Sequence, residues 1–194
     1  MSKISIQIAQ SREFQEAALL TSRAMINNPV VAAVFQGRQK RFEAIIRISF
    51  EYVPGEIHVA KDKEQIVGVM RIVEWPKCFP TPIERLKLLP SLFKASKGSL
   101  PRLSKWQRAW ARHDPQEHHW HIARLAVLPE RRRQGIGKQL VKHFCDFIDS
   151  KGSAAYLETD KKDNVSYYEN FGFKVIREAP ILKEPNWFMW RPKS

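Results

Sequence analysis

The chain has 194 residues, with 33 Lys or Arg against 20 Asp or Glu and a formal net charge of +13. That length suits one domain with a core of its own, and 43% apolar with 11% aromatic residues exclude a disordered or collagen-like chain. Two cysteines, Cys78 and Cys145, with no partners at metal-binding spacing exclude a disulfide scaffold or a four-cysteine metal centre. No apolar run reaches the roughly 20 residues that span a bilayer. The alternating start Ile4, Ile6, Ile8 also lacks the apolar block of a secretory leader, so a soluble, cytoplasmic protein is expected. The excess positive charge predicts an anionic partner, and over half of it sits in residues 84–112, where eight Lys or Arg face Glu84 alone.

In chain order, residues 3–9 predict a strand, and Ser11 is placed to cap a helix running to about Asn27, with Phe14, Ala18, Leu19 and Met25 near helical spacing. Asn28-Pro29 ends that run, and a second helix follows over residues 38–52, with Phe42, Ile45, Ile46 and residues 48–50 inward. Pro54-Gly55 opens a hairpin with arms at 57–60 and 65–75 and a turn near Asp62-Lys63. After a proline-rich loop, the basic segment predicts two short helices broken at 98–101. Residues 118–127 read as a strand and 135–150 as an amphipathic helix whose Ile136, Leu140, Phe144, Phe147 and Ile148 share a face. A strand at 154–158, a short helix at 164–171 and strands at 173–177 and 186–191 complete the chain. Alternating strands and helices predict a mixed α+β sheet rather than a bundle.

The most informative stretch runs from Leu125, Ala126 and Val127 through Arg131, Arg132, Arg133, Gln134, Gly135, Ile136, Gly137 and Lys138. An apolar strand ends, arginines follow, and two glycines open a helix whose first amides are free to hold phosphate. A P-loop is excluded, because Arg132 stands at its first glycine and Gln139 at its Ser/Thr position. A dinucleotide fingerprint is excluded by Leu140. What fits is R-x-x-G-x-G from Arg132 to Gly137, which resembles the pyrophosphate loop of the GNAT superfamily of acyl-CoA-dependent N-acyltransferases. Leu157, Glu158 and Thr159, then Asn164, Tyr167, Tyr168 and the Gly172-Phe173 turn, are similar to the superfamily's later motif, so the resemblance covers residues 120–175.

That resemblance implies a central, mixed, twisted sheet of about six or seven strands flanked by helices, with the basic helical segment 84–113 inserted before the fourth strand of a single 1–194 domain. It implies an N-acetyltransferase carrying acetyl from acetyl-CoA to a primary amine by direct attack in a ternary complex. Backbone groups of Leu125, Ala126 and Val127 would meet the pantetheine arm, residues 132–138 would hold the pyrophosphate, Asn164 would bond the cofactor and Tyr168 would protonate the leaving thiolate. The Val127 amide would stabilise the oxyanion. Tyr167 is the substitute acid, and His119, His121, Glu158 and Glu74 are open candidates for the base.

His113, His118, His119 and His121, with Asp114 or Glu117 to complete the site, invite a metal reading, but no cysteine is expected near them and no metal is expected. The basic segment has three open roles: a lid on the acceptor pocket, a docking surface for an acidic or nucleic-acid partner, or a solvated face. Contact of residues 84–112 with nucleic acid or an anionic membrane is not favoured. Residues 28–35 and 187–190 suggest an apolar entrance for a small amine, and a monomer or homodimer is expected. Two rivals remain: an acyl-CoA-binding sensor without turnover, and a basic RNA- or ribosome-associated protein acetyltransferase.

Overall fold

The computed structural model describes residues 4–78, 81, 86, 90, 93 and 98–193. Strand β1 (Ile4–Ile8) leads through a short 3-10 turn to α1 (Phe14–Met25), α2 (Pro29–Phe35) and α3 (Gln39–Tyr52). The hairpin of β2 (Glu56–Asp62) and β3 (Gln65–Glu74) precedes α4 (Leu100–His113) and β4 (His119–Val127). Helix α5 (Ile136–Ser150), β5 (Ala154–Thr159), α6 (Lys162–Glu169), β6 (Lys174–Glu178) and β7 (Trp187–Arg191) follow. The strands form one seven-stranded sheet in the order β1-β2-β3-β4-β5-β7-β6. Only β4 and β5 pair parallel among the described strands.

Helices α1 and α5 both pack on β3 and β4, and β3 is buried at every position from 66 to 73, so helices cover both faces. On α5 the buried stripe is Ile136, Leu140, Val141, Phe144, Cys145 and Ile148, while Phe147 is half-buried with its ring 4.9 Å from Trp120. The helix sits close because β3 has a glycine beneath it. A Cβ on Gly68 would meet Ile136 Cγ2 at 2.9 Å and Leu140 Cδ1 at 3.0 Å.

The N-terminal half departs from the sequence reading in three places. Gln10, not Ser11, starts the first helical turn through a capping box in which its N–H donates to Glu13 Oε2 at 2.7 Å. Leu19 is exposed, and Ala17, Ala18, Leu20, Thr21 and Ala24 form the inner face of α1. Pro29 does not end helical structure; it opens α2 behind Asn28, because proline at the first helical position surrenders an N–H that had no partner. The first half of the basic insert, with Arg85, Lys87, Leu88, Leu89, Leu92, Lys94 and Lys97, lies outside the described residues.

Glu13 also pairs with Lys61 of β2, and the Lys61 ammonium together with the Gln10 N–H holds its carboxyl below the usual range. Glu13→Gln removes half of this cap and its ion pair, so it costs about 1–2 kcal/mol at pH 7, read as a shifted denaturant midpoint. A carboxyl lowered in the folded state stabilises above its unfolded pKa and loses that contribution as pH falls through its folded value. The difference between wild type and variant therefore shrinks below about pH 4.

Candidate active site

The sheet opens where its parallel pair comes apart. Strand β4 pairs with β5 from His119 opposite Ala154 to Ile122 opposite Leu157, and no further. Beyond that point β4 runs on to Val127 paired only with β3, and the register slips between Arg71 and Ile72, which leaves Ala123 as a bulge. The bulge bends β4 away from β5. Leu128 N–H donates to Val67 O at 3.0 Å, so by strand alternation the peptide groups of Val127 and Leu125 face the gap. An extended amide chain can hydrogen-bond there as a strand would.

Below the gap lies a cavity of about 690 Å³. Its walls include Leu125, Ala126, Val127, Arg131, Arg132, Arg133, Gly135, Ile136, Gly137, Lys138, Lys161, Asp163, Asn164, Tyr167 and Tyr168, with Ala24, Met25 and Asn28 from the end of α1. Five basic side chains against one carboxylate suit a polyanion. Gly135 takes φ +79 at the N-cap of α5, a left-handed conformation natural to glycine. It offers no capping side chain, so the first-turn amides of α5 are free for an anionic ligand. Gln134 does not line the cavity; its side chain accepts from Arg131 Nε at 2.9 Å. Arg131 is anchored to Asp62 at 2.6 Å, and Arg132 donates to Ala24 O at 2.7 Å, tying the turn to β2 and α1.

A second, smaller cavity of about 70 Å³ adjoins the first and shares Met25, Asn28, Leu125, Asn164 and Tyr168 with it. Glu158, Asp160, Arg124, Asn186, Trp106 and Trp110 are among its other walls. Glu158 Oε2 accepts from His121 Nε2 at 2.7 Å, while Glu158 Oε1, Arg124 Nε and both indole N–H groups are buried without a partner. Asp160 accepts from Val30 N–H at 2.9 Å and so supports the start of α2. The basic insert thus supplies the aromatic wall of this cavity through α4, which Arg102 pins to α2 by donating to Val34 O at 3.0 Å. The C-terminal aromatics do not line it: Phe188 and Met189 are fully buried in the core, and Trp187 lines a separate cleft near Pro185.

The sequence pattern of the acetyltransferase (GNAT) family matches residues 27–173. The chain belongs to the GNAT family. As a GNAT protein it is an acyltransferase of a family that uses acyl-CoA as co-substrate. Solved structures carry the same fold. One is described as histone acetyltransferase HPA2 and related acetyltransferase from Corynebacterium glutamicum, with 24% identity over 100% of this chain and 98% of that one and a TM-score of 0.75. A mosquito protein described as arylalkylamine N-acetyltransferase like 5b aligns at 14% identity over 97% and 99% of the two chains with a TM-score of 0.60. The ribosomal-protein-S18-alanine N-acetyltransferase of Escherichia coli aligns at 14% identity over 99% and 95% with a TM-score of 0.57.

Within this GNAT protein the candidate acid–base residues separate sharply. Tyr168 lies at the junction of the two cavities, and burial pushes its phenol well above the ordinary tyrosine range. Tyr167 faces only the larger cavity, with its hydroxyl near Gly137, and burial raises it to about 12. Of the proposed bases, Glu158 alone lines the smaller cavity. Burial opposes a charge on His121, yet the Glu158 carboxylate and Cys78 push its pKa up to about 10, so it carries a proton at neutral pH. His119 is fully buried and lines neither cavity, and Glu74 faces outward against His118 at 3.1 Å. Two of the four histidines stand apart from the others. His118 is exposed, and His113 stacks on Phe188 with ring centroids 4.5 Å apart. The premise that no cysteine is near is also overturned, for Cys78 Sγ lies 4.0 Å from His119 Nε2.

Proposed function

We propose that the chain is a single-domain, cytoplasmic N-acetyltransferase that moves an acetyl group from acetyl-CoA to the primary amine of a small acceptor by direct attack in a ternary complex. The observation that carries this is Tyr168 at the meeting point of a basic cavity and an acid-lined one. The basic turn 131–138 and the free amides of α5 suit the phosphates of the co-substrate. Peptide groups of Leu125 and Val127 suit its extended amide arm, and Asn164 borders both compartments.

An amine of pKa near 10 must lose a proton before it can attack. Glu158 takes that proton through its free oxygen, while the His121 Nε2–H holds the other oxygen in place. As the nitrogen bonds to the carbonyl carbon, the Val127 N–H receives the oxyanion. When the carbon–sulfur bond breaks, Tyr168 gives its proton to the thiolate and recovers one from the nitrogen, which becomes the neutral amide, and Glu158 releases its proton to solvent as the products leave. Arg124 Nε and the indole N–H groups of Trp106 and Trp110 lack acceptors, so the acceptor suited to this cavity carries an oxygen group beside its amine. The two buried free cysteines agree with a reducing compartment.

Calorimetric titration with acetyl-CoA and CoA, paired with Gly135→Glu, tests the first half of this reading. A side chain strains the left-handed backbone and sets a carboxylate against phosphate. Wild type should bind at micromolar concentration, and the variant about 100-fold more weakly. A panel of alkylamines, arylalkylamines and amino acids, followed by release of free thiol, tests the second. Binding without turnover across the panel would favour the acyl-CoA sensor.

A further inference from the structure

Behind the acceptor cavity lies a group of buried polar side chains, of which only His121 touches the acyl-transfer machinery, through Glu158. Cys78 lies in the turn after β3, Asp114 caps the C-terminus of α4, and His119 and His121 share one face of β4. All four are buried, with His119 at 0% and His121 at 2% exposure. One donor atom from each of Cys78, Asp114 and His119 lies within 4.8 Å of the others. The His119 Nε2 to Asp114 Oδ1 distance is 3.5 Å, and Cys78 Sγ to His119 Nε2 is 4.0 Å. Tetrahedral zinc with bonds near 2.0 Å to nitrogen or oxygen and 2.3 Å to sulfur requires edges of about 3.3–3.6 Å. Small side-chain movements close that difference for these three; His121 stands outside this group and must move toward Cys78, with which it interacts, to give the fourth ligand.

Two further observations point to a cation. His119 Nδ1–H donates to Glu117 O at 2.7 Å, which leaves Nε2 as the ring atom facing Cys78 and Asp114. His121 repeats the pattern, with Nε2 on Glu158 at 2.7 Å and Nδ1 buried without a partner, and Cys78 interacts with this ring as well as with His119. A carbonyl or carboxylate behind each imidazole is the arrangement that orients metal-binding histidines. Asp114 Oδ1 also lacks a hydrogen-bond partner. One thiolate, one carboxylate and two neutral rings balance a divalent ion, so the buried site would carry no net charge.

We propose that Cys78, Asp114, His119 and His121 form a structural zinc site that fastens the end of α4, and with it the Trp106–Trp110 wall, to the sheet. On metal binding the Cys78 thiol and the protonated imidazoles release their protons to solvent. Mixed sulfur, nitrogen and oxygen ligands in a tetrahedral set select zinc over calcium or magnesium. The site meets the acyl-transfer machinery at one point, His121, which also holds Glu158; its test reads metal uptake rather than turnover, so the two readings fail separately.

The test uses full-length protein stripped with a chelator, titrated with Zn²⁺ against a chromophoric competitor, and loaded separately with Co²⁺. Wild type should take up about one equivalent and show a thiolate-to-cobalt charge-transfer band. Cys78→Ser should lose the band, Cys145→Ser should keep it, and Asp114→Asn should weaken zinc binding about 100-fold. If Cys78→Ser does not fold, protection of Cys78 from alkylation by Zn²⁺ in the wild-type protein decides the question. No stoichiometric uptake by folded wild type, or no protection of Cys78, would overturn the proposal and leave a thiol–imidazole hydrogen bond in its place.

Discussion

Tyr168→Phe should lower kcat about 100-fold or more while leaving acetyl-CoA affinity within a few-fold of wild type. The substitution removes one oxygen and keeps the ring, which packs edge-on against Tyr167 at 5.2 Å and Phe173 at 6.0 Å. The fold and the cavity wall therefore survive, so a purely structural tyrosine would leave kcat unchanged. Thioesters with more acidic thiols supply the diagnostic measurement. A general acid matters most when the leaving group is basic, so the deficit should shrink steadily as the thiol pKa falls. Because burial raises the Tyr168 phenol well above its ordinary value, the acid keeps its proton across the working range. Wild-type activity should then show no alkaline loss from this group below about pH 10. An undiminished kcat in the variant would return Tyr168 to a packing role and leave Tyr167 as the next acid to test.

Glu158→Gln should lower kcat/KM for the acceptor about 100- to 1,000-fold, with a signature in its pH profile. Without the carboxylate, the amine loses its proton only to solvent, so the variant's rate should climb with pH towards the amine pKa near 10. The gap from wild type should narrow over the same interval. A second effect accompanies the first. His121 and Glu158 side chains are 3% and 2% exposed, and removing one member of such a buried pair leaves the other charge uncompensated, at about 3 kcal/mol. Stability measured by denaturant separates this loss from the catalytic one, because acetyl-CoA affinity of the folded fraction should not change. A pH-independent deficit would mean that Glu158 only positions the acceptor.

Much of this site was legible because its chemistry is written in local backbone demands. The turn before α5 needs a residue at φ +79, and Gly135 meets that need within its own neighbourhood. The buried face of α5 follows from spacing along one helix, and the misreading of Leu19 shows where that method weakens. On α1 small residues such as Ala17 and Ala18 make the contact, and the larger Leu19 is left outside. Helix α2 was lost for a related reason: Pro29 surrenders an N–H at either end of a helix, and only the packing of Val30, Val31 and Val34 tells start from stop.

By itself, then, the amino-acid order determined the strand-turn-helix that can hold phosphate, the mixed sheet and the tyrosine beside it, since each depends on residues near one another in the chain. Tertiary structure decided which ionisable groups share a cavity. Glu158 reaches His121 because β4 and β5 pair in one register, and Cys78 reaches His119 across 41 residues because the turn after β3 folds back beside β4. Trp106 and Trp110 become a wall of the smaller cavity because Arg102 docks α4 on α2. Strand register and helix docking are set by burial summed over the whole core, and no short stretch of sequence carries that sum.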